Sequence, residues 1–220
     1  MATSFAEVAE RAHLLRERIH RAGRDDVGIL AVTKGFDDSA IAASVAAGLS
    51  RIGENYAQEA APKIAAARAQ GLHIETHFIG HLQTNKVRLL APAIDVWQTV
   101  DRTAAIVELA RRCPDGARVF LQVNATGEDT KGGCAPDGLE ILLQKAQESR
   151  LTVEGLMAMG PTDGDPSRTR DAFRLTRSLV DRLGLQQCSM GMSDDLDIAL
   201  AEGSTMVRVG SALFGQRPPR

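Results

Sequence analysis

The stretch VGILAVTKGFDDSAIAASVAAG, residues 27–48, contains the unit from which the fold can be predicted. Its first part, residues 27–34, is an apolar and β-branched run of the kind that forms a strand buried on both faces. After a polar turn, residues 38–47 are rich in alanine and end at Gly48, where a helix stop commonly falls. The stretch is therefore predicted to be one strand followed by one helix, with Lys34 at the end of the strand.

The same alternation of a strand and a helix continues along the whole chain. Predicted strands lie at residues 27–34, 50–56, 75–81, 95–101, 118–124, 153–160, 188–192 and 205–210. Predicted helices include residues 38–47, 57–69, 103–112, 136–149, 167–183 and 194–202. Eight such units predict an α/β fold, a single (β/α)8 barrel of the TIM type.

The length of the chain limits what else it can contain. Barrels of this type usually take about 250 residues, whereas this chain has 220. We therefore expect a single domain over residues 1–220, with residues 1–24 forming an extra N-terminal helix that packs on the barrel.

Composition and charge exclude several classes of partner. A formal net charge of −2 and dispersed basic residues offer no general attraction to nucleic acid or to an anionic membrane. No apolar run reaches the roughly 20 residues that span a bilayer, and the amphipathic N-terminus does not resemble a signal peptide. We therefore expect a cytoplasmic protein. The widely spaced Cys113, Cys134 and Cys188 predict reduced structural thiols rather than a disulfide framework or a zinc site.

A barrel of this type carries its chemistry at the carboxyl ends of its strands, which is where Lys34 lies. A lysine at the mouth of an apolar barrel is partly desolvated, which favours the neutral and nucleophilic amine. Such an amine commonly forms a Schiff base with a carbonyl, including the aldehyde of pyridoxal 5′-phosphate (PLP). Taken alone, however, a lysine at a strand end is more often a solvated loop residue or half of an ion pair.

The C-terminal segment SMGMSDDLDIALAEGSTMVRVGSALFG, residues 189–215, strengthens the case for a phosphorylated ligand. It contains two successive strand-to-helix turns, and the loops after the seventh and eighth strands of such barrels often bind phosphate. Gly210 permits close backbone approach, and Ser193 and Ser211 offer hydroxyl donors, although Ser193 is also suited to capping a helix. Arg208 would leave the pyridine nitrogen of PLP unprotonated, or would form an ion pair within the barrel.

The segment HIETHFIGH, residues 73–81, is the one alternative constellation. As a helix it would space three histidines for a metal, but its β-branched and aromatic residues favour a strand. In a strand, His73 and His81 are separated by about 26 Å, too far to share an ion. No metal site is therefore predicted, and the serine-hydrolase and P-loop motifs are also missing from the sequence.

Taken together, these segments resemble the family of pyridoxal phosphate homeostasis proteins. The resemblance runs over nearly the whole chain and is carried by LAVTK (30–34), GENYAQE (53–59), HFIGHLQTNK (77–86), GLMAM (155–159) and residues 189–215. It implies a barrel like the N-terminal domain of bacterial alanine racemase. The histidine at position 81, where many relatives have proline, and the glycine at position 35 depart from the family pattern and could alter access to the pocket.

The resemblance also implies a role for individual residues. Lys34 is the residue expected to form the Schiff base with PLP, and Arg208 resembles the arginine that faces the pyridine nitrogen. The remaining implied positions are Ser193, Gly210 and Ser211 at the phosphate, and Asn55, His81 and Met190 lining the pocket.

The function implied is PLP binding in intracellular PLP (vitamin B6) homeostasis, without a classical catalytic activity. Its partners would be PLP, amino acids and PLP-dependent apo-enzymes, with the protein a monomer or a weak dimer. The alternative is a PLP-dependent amino-acid racemase or lyase, which needs a second acid/base, usually a tyrosine from another domain. The only tyrosine, Tyr56, is predicted to point away from the pocket if Asn55 points into it. A barrel that binds a phosphorylated metabolite without PLP is a third possibility.

Overall fold

A computed structural model describes residues 4–216 of the chain, in which helices and strands alternate from end to end. The strands are β1 Gly28–Val32, β2 Arg51–Glu54, β3 Glu75–Phe78, β4 Val96–Val100, β5 Arg118–Gln122, β6 Thr152–Met157, β7 Gln187–Ser189 and β8 Met206–Val209. The helices are α1 Phe5–Arg21, α2 Ser39–Ala46, α3 Ala57–Ala69, α4 Thr84–Leu90, α5 Thr103–Arg112, α6 Leu139–Glu148, α7 Pro166–Arg182, α8 Leu196–Ala201 and α9 Ser211–Phe214.

The eight strands form a closed parallel barrel in sequence order, which confirms the predicted fold class. The barrel closes where β1 pairs with β8, with Gly28 opposite Met206 and Ala31 opposite Val209. Most strands are shorter at their carboxyl ends than predicted, so Lys34 lies two residues beyond the end of β1. Helix α4 was not predicted, because its short sequence TNKVRLL contains too few apolar positions to show a helical period.

Side chains alternate between the inside of the barrel and the layer under the helices. The interior is filled by a small apolar cluster of Leu30, Val96, Phe120, Met157 and Met206. Two larger apolar clusters lie between the strands and the surrounding helices. Because successive residues of a strand point to opposite faces, the interior residues predict which polar side chains reach the mouth of the barrel.

The predicted N-terminal helix is present, and α1 packs against the outside of the barrel. Val8, Ala12, Leu15 and Ile19 form its buried stripe, which joins the apolar cluster of α2 and α9. Residues 1–3 of the predicted helix lie outside the described part of the chain. Within residues 4–216, every helix is too short or too polar to cross a membrane.

Candidate functional site

A cavity of about 240 Å³ opens at the carboxyl ends of the strands, where the chemistry of a barrel of this type is expected. Its walls come from six parts of the chain that are far apart in sequence. The lining residues are Val32, Lys34, Asn55, Ile79, Met157, Met159, Met192, Ser193, Asp194, Arg208, Gly210 and Ser211. Six of the eight residues predicted for the site are therefore in this wall.

Lys34 reaches the cavity because the inward phase of β1 continues past the end of the strand. Leu30 lies in the barrel interior and Val32 lines the cavity, so the next residue of the same phase is Lys34. Lys34 is half-buried. The cavity thus presents a primary amine against an apolar floor, which is the environment that favours nucleophilic chemistry.

A buried ion pair supports the segment that carries Lys34. The ammonium of Lys63, on α3, lies 2.6 Å from the Glu54 carboxylate and 2.9 Å from that of Glu59. It also donates hydrogen bonds to the carbonyl oxygens of Thr33, at 2.8 Å, and Phe36, at 3.0 Å. Lys63 therefore holds the backbone on both sides of Lys34.

The two carboxylates complete this support. Glu59 accepts a hydrogen bond from the backbone N–H of Gly35 at 2.7 Å, and Glu54 accepts one from the Thr33 hydroxyl at 2.6 Å. Burial raises the pKa of Glu54, while Lys63 opposes that rise. Gly35 has a φ of 76°, in the left-handed region that favours glycine. The glycine that departs from the family pattern is thus matched to the backbone conformation after Lys34.

Arg208 forms the other polar wall of the cavity. It is only 5% exposed, and its guanidinium donates hydrogen bonds to the carbonyl oxygens of Ser189, at 2.6 Å, and Ala158, at 2.7 Å. Burial lowers the pKa of Arg208 to about 10, so the side chain is still a cation at neutral pH. A buried cation whose neighbours are neutral acceptors is well suited to meet an acceptor atom of a ligand.

The loops after β7 and β8 meet at Ser193 and Ser211. The Ser211 hydroxyl donates to Ser193 Oγ at 3.1 Å, and the backbone N–H of Ala212 donates to the same oxygen at 3.3 Å. Ser193 therefore links the two loops instead of capping α8, whose N-cap is Asp195. At position 210 an added Cβ would lie 3.3 Å from the carbonyl oxygen of Val32, so glycine keeps this corner of the cavity open.

Asn55 gives the cavity an unused acceptor. Its Oδ1 atom is buried and accepts no hydrogen bond from any described residue. Such an atom costs free energy unless a ligand or water supplies a donor. Position 80 lies against the same turn, because an added Cβ there would approach the Asn55 carbonyl oxygen to 2.0 Å. Asn55 is therefore held by its backbone neighbours with its amide in the cavity wall.

Two predicted pocket residues, Met190 and His81, lie outside the cavity. Met190 is fully buried in the layer under the helices, because Ser189 holds the inward phase of β7 and its neighbour must point outward. The methionine of this loop that lines the cavity is Met192, which lies beyond the end of β7. His81 is exposed and lines a neighbouring depression of about 260 Å³ together with Tyr56. Because β3 ends at Phe78, the strand alternation no longer controls the direction of His81.

Several residues of the site were not predicted. Ile79, Met157, Met159 and Met192 supply apolar parts of the wall. The first three share the inward phase of their strands, which was a usable signal, whereas Met192 lies in the loop after β7. The support from Lys63 was not predictable from pattern, because a lysine in an alanine-rich helix is typical of a solvent-facing position.

The described residues hold no cluster of three or more metal-ligating side chains. The three cysteines are thiols, as predicted, and burial raises the pKa of Cys188 to about 12 and of Cys113 to about 11. Elevated pKa values make these thiols poor nucleophiles. The polar side-chain groups around the cavity include the Lys34 amine, the Arg208 guanidinium, the Asp194 carboxylate and the hydroxyls of Ser193 and Ser211.

Comparisons with known proteins show the family to which the chain belongs. A family model described as alanine racemase, N-terminal domain, matches residues 5–218. The pyridoxal phosphate homeostasis protein of Pseudomonas aeruginosa is 42% identical over 225 residues, which covers 99% of this chain and 97% of that protein. The protein of the same name from Escherichia coli K12 is 36% identical over 230 residues, covering 99% and 97% of the two chains.

Solved structures show the same architecture. The PipY protein of Synechococcus elongatus, solved with PLP bound, superposes with a TM-score of 0.84 at 31% identity, over 94% of this chain and 100% of that one. An alanine racemase from Corynebacterium glutamicum superposes with a TM-score of 0.76 at 18% identity, over 98% of this chain and 62% of its own. The second likeness shows the barrel fold alone.

Proposed function

The chain belongs to the family of pyridoxal phosphate homeostasis proteins, and we propose that it binds PLP in the cavity through a Schiff base on Lys34. In this role the protein stores, buffers or delivers the cofactor and has no classical catalytic activity. The observation that carries the proposal is that Lys34 and Arg208 face one cavity together with Ser193 and Ser211.

The residues of the cavity fit PLP by their chemistry. Bound PLP supplies an aldehyde that condenses reversibly with a primary amine, and Lys34 is the amine in the wall. Ser193, Ser211 and the backbone at Gly210 offer hydrogen-bond donors and close approach for a phosphate. Arg208, which has only donors, suits an unprotonated pyridine nitrogen, while Asn55 Oδ1 is a buried acceptor that lacks a donor.

The wall supports storage more than racemisation. A racemase of this fold needs a second acid/base opposite the lysine. Tyr56 lines the neighbouring depression instead of the cavity, as its alternation with Asn55 predicts. The cavity wall also includes three methionines, which neither donate nor accept a proton. Exchange of PLP with an incoming amine requires only that the Schiff base be reachable from solvent.

The direct test is the visible absorbance of the protein after reconstitution with PLP. We expect a Schiff-base band in the wild type, its loss in Lys34→Ala, and one PLP attached to Lys34 after borohydride reduction and mass spectrometry. Lys145→Ala is the matched control, because Lys145 is half-buried like Lys34 and pairs with Glu148 on α6, away from the cavity. A wild type without the band, or a band that survives in Lys34→Ala with reduction at another lysine, contradicts the proposal.

A second measurement separates the carrier from an enzyme. The PLP-loaded protein is incubated in deuterated water with a panel of amino acids, and exchange at Cα is followed by NMR. The carrier role predicts exchange no faster than with PLP alone. Exchange at rates typical of enzymes, abolished by Lys34→Ala, would replace the carrier role with that of a racemase or lyase.

A further inference from the structure

A continuous chain of hydrogen bonds crosses the inside of the barrel from the cavity to the opposite end. Arg208 Nη1 donates to Ser189 Oγ at 2.9 Å, and the Ser189 hydroxyl donates to Gln98 Oε1 at 2.7 Å. Gln98 Nε2 lies 2.8 Å from His77 Nδ1, and His77 Nε2 lies 3.0 Å from Glu75 Oε1. The three middle side chains are fully buried, so water cannot substitute for any link.

The cavity end of this chain is a cation that forms no ion pair in the described part of the chain, although the more distant Asp195 carboxylate opposes the lowering of its pKa by burial. Among residues 4–216, every carboxylate is more than 4.0 Å from the Arg208 guanidinium. Three of its five N–H groups donate to the oxygen atoms of Ser189 and Ala158. The other two N–H groups are available on a side chain that lines the cavity.

The opposite end of the chain is an anion that is firmly ionised. Glu75 lies 2.7 Å from the Arg118 guanidinium and 3.3 Å from that of Arg51, at the amino end of the barrel. The hydrogen bond from His77, followed by that from Arg118, lowers the pKa of Glu75 to about 2. The chain thus has a group with only donors at one end and a group with only acceptors at the other.

These two ends determine the orientation of every group between them. Gln98 must accept from Ser189 and donate to His77 Nδ1, and its second amide hydrogen points to the Met206 sulfur at 3.2 Å. Since Nδ1 is an acceptor, the single proton of the neutral imidazole must lie on Nε2, where it is donated to Glu75. Turning the Gln98 amide over would remove the donor to Met206 and would leave the Ser189 hydroxyl hydrogen without its acceptor in Gln98.

We propose that Ser189, Gln98 and His77 are positioning residues for Arg208, and that the chain they form links its guanidinium to Glu75 as a distant counter-charge. The neutral chain orients the arginine without placing a carboxylate beside it. A neighbouring carboxylate would take up the remaining N–H groups, which are the ones a ligand needs. No proton or electron moves in this role.

The inference rests on the proposed function, since PLP is the ligand whose pyridine nitrogen would meet Arg208. A guanidinium held in one orientation donates to that nitrogen and disfavours its protonation. If the chain is broken, the guanidinium can turn, the donated hydrogen bond weakens, and the ring nitrogen gains a proton at a higher pH. Disruption of the chain should therefore change both the affinity for the ligand and the ionisation of its ring.

The first test needs no ligand. In protein labelled with 15N-histidine, we expect His77 to show a neutral ring with its proton on Nε2 at neutral pH, assigned by loss of the signals in His77→Gln. A proton on Nδ1 or on both nitrogens would overturn the chain. This measurement uses the wild type, so it decides the arrangement even if a core variant does not fold.

The second test measures binding to Ser189→Ala, with Ser44→Ala as the matched control. Both serines are fully buried, but Ser44 lies on α2 and donates only to the carbonyl oxygen of Ala40. We expect PLP affinity to fall about tenfold in Ser189→Ala, the size of one lost bond to a charged group. Ser44→Ala should bind PLP as the wild type does, and equal losses in the two variants would contradict a positioning role.

A third measurement reports the ring itself. Pyridoxine 5′-phosphate carries an alcohol in place of the aldehyde, so its ring absorbance reports protonation independently of Lys34. In Ser189→Ala the pH at which the bound ring is protonated should rise by about one unit, the equivalent of a tenfold change. A wild type that binds neither compound refutes the proposed function and with it the role of the chain toward PLP. A wild type that binds both, with Ser189→Ala unchanged in affinity and ring protonation, refutes the positioning role alone.

Discussion

Each end of the barrel has an inward-facing arginine, and the two arginines have opposite electrostatic surroundings. Arg118, at the amino end, lies 2.7 Å from Glu75 and contacts Glu154 as well, and these carboxylates raise its pKa. Arg208, at the carboxyl end, is more deeply buried and has only neutral oxygen atoms as acceptors. Burial therefore lowers the pKa of Arg208, whereas pairing raises that of Arg118.

The paired charges at the amino end contribute to stability, whereas the groups at the carboxyl end are available for ligand binding. The charges at the amino end satisfy each other, so that end has little left to offer a ligand although depressions exist there too. The carboxyl end keeps donors and a buried acceptor whose desolvation is not fully compensated by protein contacts. Such groups lower the stability of the empty protein and strengthen the binding of a ligand that completes their hydrogen bonds.

The largest expected effect comes from breaking the buried ion pair of Lys63, which supports the segment that carries Lys34. Lys63→Met should lower the free energy of unfolding by about 3–5 kcal/mol, because Glu54 would remain buried without its partner. The measurement is urea denaturation at pH 7, with Lys145→Met as a surface control. A loss below about 1 kcal/mol would mean that Glu54 becomes neutral or hydrated at little cost.

The next largest effect is expected from replacing Arg208, the buried cation that forms no ion pair with a described residue. Arg208→Met should weaken PLP binding by about 100-fold, which corresponds to losing bonds to a charged group. The stability of the ligand-free protein should change by less than about 1 kcal/mol, because relief of a desolvated charge opposes the loss of donors to Ser189 and Ala158. Equilibrium dialysis and urea denaturation give the two numbers. Arg174→Met, on an exposed pair with Glu202, is the control.

The fold and the location of the site were predictable because both depend on short-range patterns. The strand and helix alternation predicted the barrel, and parallel strands bring their carboxyl ends together. The inward phase of β1 and β8 was enough to place Lys34 and Arg208 in one wall. The same rule, applied strictly to β7, points Ser189 inward and Met190 outward, so the error at Met190 came from following the family resemblance over the alternation.

The support behind the site could not be predicted in this way. Lys63 and Glu59 are four residues apart on a helix, which is also the spacing of ordinary surface pairs. Gln98 and Ser189 are single neutral polar residues within strands, and only the closed barrel brings them to 2.7 Å from each other. Contacts between β4 and β7 across the interior depend on side-chain lengths and on strand tilt, which the pattern of residues does not specify.

The pH dependence of unfolding provides another test of the amino end, through the ionisation of Glu75. The pKa of Glu75 is lowered from 4.5 to about 2, so its ionised form contributes stability that is present above pH 4.5 and is lost as the pH falls toward 2. Glu75→Gln should therefore be less stable than the wild type at pH 7, by about 2 kcal/mol after screening by solvent. The two proteins should converge as the pH approaches 2. A constant difference from pH 7 to pH 2 would assign the effect to packing.

The smallest effect is expected at the amino end itself. Glu154→Gln removes one carboxylate from Arg118 but leaves Glu75 beside it, so the free energy of unfolding should fall by only about 0.5–1 kcal/mol. PLP affinity should stay at the wild-type value, because Glu154 belongs neither to the cavity nor to the hydrogen-bond chain. Loss of a full charge here should thus affect binding less than loss of the neutral Ser189 hydroxyl. A tenfold weaker affinity in Glu154→Gln would show instead that binding follows the total charge in the barrel and not the orientation of Arg208.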